Sequence, residues 1–175
     1  MRRSDLVPDC GRCAAVCCVA PSFEASTDFA VGKQAGVPCR HLGVECRCTI
    51  HDELVPRGFL GCSIYDCYGA GPRVTRLFVG ATGLDAQRDE AFLFLRVVHE
   101  LLWLLTEAAK LCPTSEVLLR EQIEKEVATL DAIELLPFAR ADVDLRSCHE
   151  RSQRLLVSVG HAVGGRARHV LRVMR

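Results

Sequence analysis

The sequence predicts a mainly α-helical chain. An irregular, cysteine-rich, metal-stapled N-terminal module packs on a C-terminal three-helix antiparallel bundle. Three observations predict this. Nine of the eleven cysteines fall at or before position 67. Residues 10–80 are rich in Cys, Gly and Pro, show little periodicity, and cannot bury much apolar surface without a staple. From Asp85 onward cysteine almost disappears, and apolar residues recur at three- and four-residue steps, the period of an amphipathic helix. The organisation therefore reads as a tail over 1–9, a metal- or cluster-binding module over 10–80 and a helical bundle over 85–175.

Composition narrows the function. The chain has 175 residues, 49% of them apolar, enough for a real core. Its formal net charge is zero, so no global field draws it to nucleic acid or acidic substrates. Arginine outnumbers lysine nineteen to three, a skew that fits GC-rich coding better than anion recognition. The first residues hold two arginines but no apolar run behind them, unlike a secretory or twin-arginine signal. The most apolar stretch, 91–105, is short and carries Arg96, His99 and Glu100, so no membrane span is expected. A cytoplasmic location follows as an expectation, and there clustered cysteines serve as ligands or redox groups rather than structural disulfides.

The elements follow in order. Short helical turns are expected around 14–19 and 50–54, a short strand over 74–79 and a loop over 80–83. Asp85 or Asp89 caps a first helix that continues to about Leu111. On it Arg96, His99, Glu100, Glu107 and Lys110 form a narrow wet stripe, while Phe92, Leu95, Val98, Leu102, Trp103 and Leu105 cover the other faces. Pro113 stops that helix, and Thr114 or Ser115 caps a second, over about 116–136, which ends at Leu136-Pro137. Asp142 or Asp144 caps a third, to about Val163. Gly164-Gly165 breaks or kinks it, with a basic tail helix beyond.

Chemistry concentrates in the cysteines. Thiolates are soft ligands, and four of them suit tetrahedral zinc or an iron–sulfur cluster. Cys10 and Cys13 make a C-x2-C pair, which lets two sulfurs meet one ion from a tight turn. Cys17 and Cys18 are adjacent, so their side chains diverge and one of them is free for a second metal or another role. Cys39, Cys46, Cys48, Cys62 and Cys67 can close the site or sites. Cys48 and His51 make a C-x2-H pair, leaving His51 as a ligand in place of a thiol or as a nearby polar group. Reversible disulfide chemistry and inert burial are the competing readings of the sulfurs. Cys112 and Cys148 lie alone in or beside helices and read as small buried side chains.

Other motifs say less. His41 and His99 offer no Cys–His dyad, and His99 reads as part of the wet stripe. Gly69-Ala70-Gly71 reads as a turn leaving the module, with amides hydrogen-bonding sulfur or an anion as the alternative. There is no dinucleotide fingerprint, Walker loop, zinc-protease motif or nucleophile elbow. Residues 151–175 hold six arginines and no acidic residue, but no aromatic stacking groups, so nucleic acid is not the expected partner.

The pattern C-x2-C-x3-C-C, then P-C-R-H-L, C-T-I-H and G-C-S-I-Y-D-C, resembles the YkgJ-like CxxCxxCC cysteine-cluster family of zinc- or iron-chelating domains. The chain is most similar to the form found at the front of actinobacterial pentapeptide-repeat proteins, through C-C-V-A-x-x-F, S-T-D-F-A-V-x-K-x-A-G-V-P-C-R and Y-D-C-Y-G-A-G. The resemblance covers 10–80 well and 90–165 more loosely. It implies a ligand set of Cys10, Cys13, Cys17, Cys18, Cys39, Cys48, Cys62 and Cys67, with Cys46 as an extra. Two departures stand out: three residues rather than two separate Cys13 from Cys17, and no pentapeptide repeat follows the module. The cofactor expected is Zn2+ or an iron–sulfur cluster, 4Fe-4S ahead of 2Fe-2S if the metal is iron. Arg12, Arg40, Arg47 and Arg73 are placed to offset thiolate charge. The function expected is an accessory or regulatory metal-binding module whose helices offer a docking surface to a protein partner. An iron–sulfur enzyme doing redox or group-transfer chemistry and a thiol redox sensor are the alternatives.

Overall fold

The structure, a computed structural model, describes residues 3–134 and 143–173, with side chains over 4–133 and 143–164. Helix dominates, as the apolar period of the second half requires. In chain order the helices are α1 (Leu60–Ile64), α2 (Ala70–Leu77), α3 (Asp85–Leu111), α4 (Val117–Glu134) and α5 (Leu145–Val173). The chain is mainly α. Extended pairing among the described residues amounts to two isolated antiparallel bridges, Phe23 with Lys33 and Leu42 with Cys48. No helix in the described residues is long and apolar enough to cross a membrane.

Two compact units emerge, Ser4–His99 and Glu100–Arg175, the latter with the first three residues. They divide inside α3. The first half of α3 belongs with the cysteines because its polar side chains bind their loops, as described below.

In the unit Ser4–His99, single 3-10 turns form at Arg3–Leu6, Cys10–Arg12, Val16–Cys18 and His51–Glu53. Two of them fall where short helical turns are expected. A small apolar cluster of Ile50, Leu54 and Phe59 carries Phe23, Phe29, Val31 and Cys48 around it. Phe23 and Phe29 stack with ring centroids 4.2 Å apart. Residues 74–77, expected in a strand, are helical instead. Gly69 takes the left-handed φ of 76° that lets the chain turn into α2. Pro72 lies in the first turn, where its missing amide costs nothing. Val74 is fully buried. Local β-preference of β-branched residues is weak and yields to such packing.

α3 has the bounds that its periodicity predicts. Its cap differs: the Leu84 carbonyl accepts from the Arg88 amide at 2.9 Å, so Leu84, not Asp85 or Asp89, holds the cap position. Asp85 lies in the first turn, where its charge favours the helix dipole, and Arg88 donates to it at 2.8 Å.

In the unit Glu100–Arg175, Arg120 of α4 donates to the carbonyls of Ala109 and Cys112 at 3.1 and 3.0 Å. It thereby satisfies acceptors that the end of α3 leaves open. The Glu116 carbonyl accepts from the Arg120 amide at 3.0 Å, so Glu116 rather than Thr114 or Ser115 holds the α4 cap position. The expected stop at Leu136-Pro137 and the alternative cap Asp142 lie outside the described residues. Asp144 caps α5, accepting the Ser147 amide at 3.2 Å and the Ser147 hydroxyl at 2.6 Å. Those bonds hold its carboxyl below the usual range, the hydroxyl bond being the larger cause. Arg151 donates to Glu126 at 2.9 Å. Each lies about two turns from the facing ends of α4 and α5, so these helices run antiparallel. Cys112 and Cys148 are buried, as expected.

The break expected at Gly164-Gly165 does not occur, and α5 continues to Val173. Glycine weakens a helix but, unlike proline, removes no hydrogen bond. A Cβ at Gly164 would meet nothing within 4 Å. Gly164→Ala is therefore expected to stabilise the protein by up to about 1 kcal/mol in urea denaturation. A helix broken at this point would gain nothing.

Candidate functional site

All eleven cysteines are free thiols. Short segments far apart in sequence carry the eight that the resemblance singles out, and pairwise contacts place them in two neighbourhoods, around the start of α2 and around Phe59.

The first group forms around the start of α2. The turn Cys10–Arg12 presents Cys10, and the turn Val16–Cys18 presents Cys17. Ala15, between Cys13 and Cys17, has a left-handed φ of 55°, which takes up the longer C-x3-C spacing. The Ala14 amide donates to Thr75 Oγ1 at 2.9 Å, and that hydroxyl donates to the Gly71 carbonyl at 2.9 Å, tying the loop to α2. Gly71 is required: a Cβ there would lie 2.8 Å from Cys13 Sγ and 3.8 Å from Cys67 Sγ. The amides of Gly69 and Gly71 donate to the Cys67 sulfur. Of the two roles weighed for Gly69-Ala70-Gly71, the structure therefore displays the bonding to sulfur as well as the turn. Burial still raises the Cys67 thiol above its ordinary range.

The second group forms around Phe59. The Cys39 amide donates to the Cys18 carbonyl at 2.9 Å, and the Leu42 amide to the Cys39 carbonyl at 2.9 Å. Leu42 pairs with Cys48 across the isolated bridge, and Cys48 packs on the Ile50, Leu54 and Phe59 cluster. The Cys62 amide donates to the Phe59 carbonyl at 3.1 Å. Burial pushes the Cys62 thiol up to about 11, and the sulfurs of Cys18, Cys39 and Cys48 add to the rise. Burial likewise raises Cys48. Lys33 is the local cation. Its ammonium donates to the carbonyls of Val19, Gln34 and Val37 at 2.7, 3.0 and 2.9 Å, bracing the chain beside Cys18 and Cys39.

The groups meet at Cys17 and Cys18. The Cys17 thiol donates to Cys18, so Cys17 holds its proton far more tightly than a free thiol. The same bond, with Lys33 and His51 nearby, lowers Cys18 to about 7 against the opposing effect of burial. Partial burial and the sulfurs of Cys13 and Cys18 raise Cys10, while Arg47 opposes them. Cys46 stands on an exposed turn at φ 55°. His51 is largely exposed and lies 3.5 Å from Asp52.

Among the described residues, no three His, Cys, Asp or Glu side chains are gathered as a ready-made ion cage. The donors nonetheless suit a thiophilic ion. They are soft sulfurs brought in from distant loops, with backbone amides aimed at one of them and a missing Cβ leaving room for two.

Three positioning residues escaped the sequence. His99, read as part of the wet stripe, is fully buried, and its Nδ1 donates to the Tyr68 carbonyl at 2.8 Å. Arg96, one turn earlier, donates to the Asp66 carbonyl at 3.3 Å and lies 5.3 and 5.7 Å from the rings of Tyr65 and Tyr68. The stripe grips the loop that carries Cys67. Lys33 is the third. The available signal was a pair of hydrogen-bonding residues, Arg96 and His99, one turn apart within the most apolar part of that helix.

The chain is 40% identical over 110 residues to "Uncharacterized protein YybG" of Bacillus subtilis (strain 168), an alignment covering 59% of this chain. It spans 39% of that relative's length. No protein-family model matches the chain, and no solved structure matches it.

Two outcomes follow. Gly71→Ala is expected to lower stability by roughly 1–3 kcal/mol, read in urea denaturation, because the new methyl overlaps a sulfur on a short side chain. In the metal-free protein, iodoacetamide should modify Cys18 with a rate that rises through about pH 7. Deprotonation makes the nucleophile, so the rate climbs with pH, and Cys17→Ser should move the midpoint toward that of an ordinary thiol, as read by peptide mass spectrometry.

Proposed function

We propose that this chain is a metal-binding cysteine-cluster protein acting as an accessory or regulatory module. The observation that carries the reading is that Cys10, Cys13, Cys17, Cys18, Cys39, Cys48, Cys62 and Cys67, from segments far apart in sequence, each lie near enough to another of the set to influence it. A thin apolar cluster does not call for so many sulfurs, whereas Zn2+ or an iron–sulfur cluster does. When bound, such a group supplies soft cationic cross-links between loops. The chain's residues supply the thiolates, the Gly69 and Gly71 amides that bond one sulfur, and the cations Lys33 and Arg47 that offset the charge gathered there.

The docking half of the proposal concerns the helical unit. Leu111, Val117 and Leu118, around the turn between α3 and α4, are exposed, and they suit an apolar contact with a protein partner. A cytoplasmic location fits the free thiols. A second reading, a thiol redox sensor, is favoured by the Cys17–Cys18 hydrogen bond and the low-lying Cys18 thiol. It calls for a metal-free protein whose thiol count falls reversibly with peroxide.

Metal and acid-labile sulfide analysis with an absorption spectrum, on protein purified without oxygen, tests the proposal. Bound zinc, or iron with sulfide, is the expected result. Metal-free protein with a full set of reactive thiols would refute it. A companion outcome concerns structure. Losing Cys13 and Cys39 together should abolish the folded signal of the cysteine-bearing unit in circular dichroism, because metal binding and folding are coupled there.

A further inference from the structure

The turn that carries Cys17 and Cys18 is firmly held. The Ala15 carbonyl accepts from the Cys18 amide at 2.8 Å, and the Val16 carbonyl accepts from the amides of Val19 and Ala20 at 3.0 and 2.8 Å. Ala15, Val16 and Ala20 are buried, while the two cysteines between them are half-buried, within reach of a small solute. The Cys17 thiol donates to the Cys18 sulfur, so the two sulfurs already face each other in the reduced chain. Carbonyls of the same turn anchor a second loop. The Cys18 carbonyl receives the Cys39 amide at 2.9 Å, and the Val19 carbonyl receives the Gly36 amide at 3.0 Å and the Lys33 ammonium at 2.7 Å.

We propose that Cys17 and Cys18 are a reversible two-electron oxidation site, which a peroxide closes to a disulfide between neighbouring residues and which thereby loosens the loop 33–39. This deepens the thiol-sensor reading above and rests on it. Cys18, with the Lys33 ammonium beside it, meets the oxidant first. Its sulfur takes one oxygen of the peroxide as the O–O bond breaks, giving a sulfenic acid and one water. The Cys17 thiol then attacks that sulfur, the S–S bond forms as the S–O bond breaks, and a second water leaves. Two thiols are thus oxidised by two electrons, and the peroxide is reduced to two waters. No chain movement precedes the second step, because the resolving thiol is already in contact. The geometry also makes closure reversible. The α-carbons of adjacent residues lie about 3.8 Å apart across a trans peptide, below the roughly 4.4–6.8 Å that a relaxed disulfide spans. The closed ring is therefore strained, and strained disulfides are those that a monothiol such as glutathione readily reopens by exchange. Strain at the Cys17–Cys18 peptide displaces the Cys18 carbonyl, the acceptor on which Cys39 hangs.

The test uses the full chain, reduced and without added metal, treated with one equivalent of hydrogen peroxide. Remaining thiols are alkylated, and the tryptic peptide 13–33, which holds Cys13, Cys17 and Cys18, is mapped by mass spectrometry. The expected peptide lacks two hydrogens and carries alkyl on Cys13 alone. Amide exchange at Gly36 and Cys39 should speed up several-fold on oxidation and slow again after reduced glutathione. A disulfide that uses Cys13 or Cys67 while Cys17 and Cys18 stay alkylated overturns the assigned pair and leaves the sensor reading standing. A thiol count that does not fall with peroxide overturns the sensor reading itself, a distinguishable failure. Unchanged exchange at Gly36 and Cys39 in the closed form overturns the coupling to the loop. In Cys17→Ser, Cys18 should stop at the sulfenic acid and be captured by dimedone. A Cys18 that still reaches a disulfide as fast as in the wild type overturns Cys17 as its partner. Should that variant not fold, the peptide map of the wild type decides the same point.

Discussion

The hydrogen bond from His99 to the Tyr68 carbonyl is the tie on which the cysteine-bearing unit depends. The His99 ring is fully buried, its Nδ1 carries the proton that it donates, and it reaches the loop one residue beyond Cys67. Arg96 reinforces it from the same face of α3, bonding the Asp66 carbonyl and covering two tyrosine rings. Leaving the buried His99 Nδ1–H without its Tyr68 acceptor would cost about 1–3 kcal/mol. Once Tyr65–Tyr68 is held, α2 can start at Gly69, Gly71 can meet two sulfurs, and Thr75 can anchor the loop of Cys13 and Cys17.

At its N-terminal end, α3 works on the second group. Asp89 is mostly buried, pairs with Arg88, lies close to Gly36 and is felt by Lys33. Lys33 in turn braces the carbonyls beside Cys18 and Cys39. One helix thus lends a scaffold to both sulfur groups, which explains why its first half sorts with the loops and not with the helices that follow it.

The helices were legible because the apolar period is a strong local signal. The bounds of α3 followed from it directly, and the start of α4 to within a residue. Caps and breaks were less legible. Leu84 and Glu116 take cap positions through their carbonyls, which every residue has, while the sequence drew attention to Asp and Ser side chains. Gly164-Gly165 looks like a break but continues as helix, and 74–77 looks like strand but lies in α2, because packing around Val74 overrides propensity. The concentration of cysteines marked the site at once. Which cysteines neighbour one another was not legible, since it depends on contacts such as that of the Cys39 amide with the Cys18 carbonyl, which spacing does not encode. His99 was misplaced for a related reason: a polar residue on a helix face reads as wet unless its partner, here a backbone carbonyl, is known.

Backbone conformation adds a last point. Among the described residues, the non-glycine positions with left-handed φ are Ala15, Cys46 and Tyr68. One lies between Cys13 and Cys17, one is itself a cysteine, and one follows Cys67. A side chain in that region costs roughly 1–2 kcal/mol relative to ordinary backbone. The unfavourable dihedrals of this chain are therefore spatially co-located with its sulfurs, while the regular helices are free of them. The thiol-bearing loops behave as a set of bent springs on a relaxed frame, and any agent that clamps the sulfurs sets how far those springs relax.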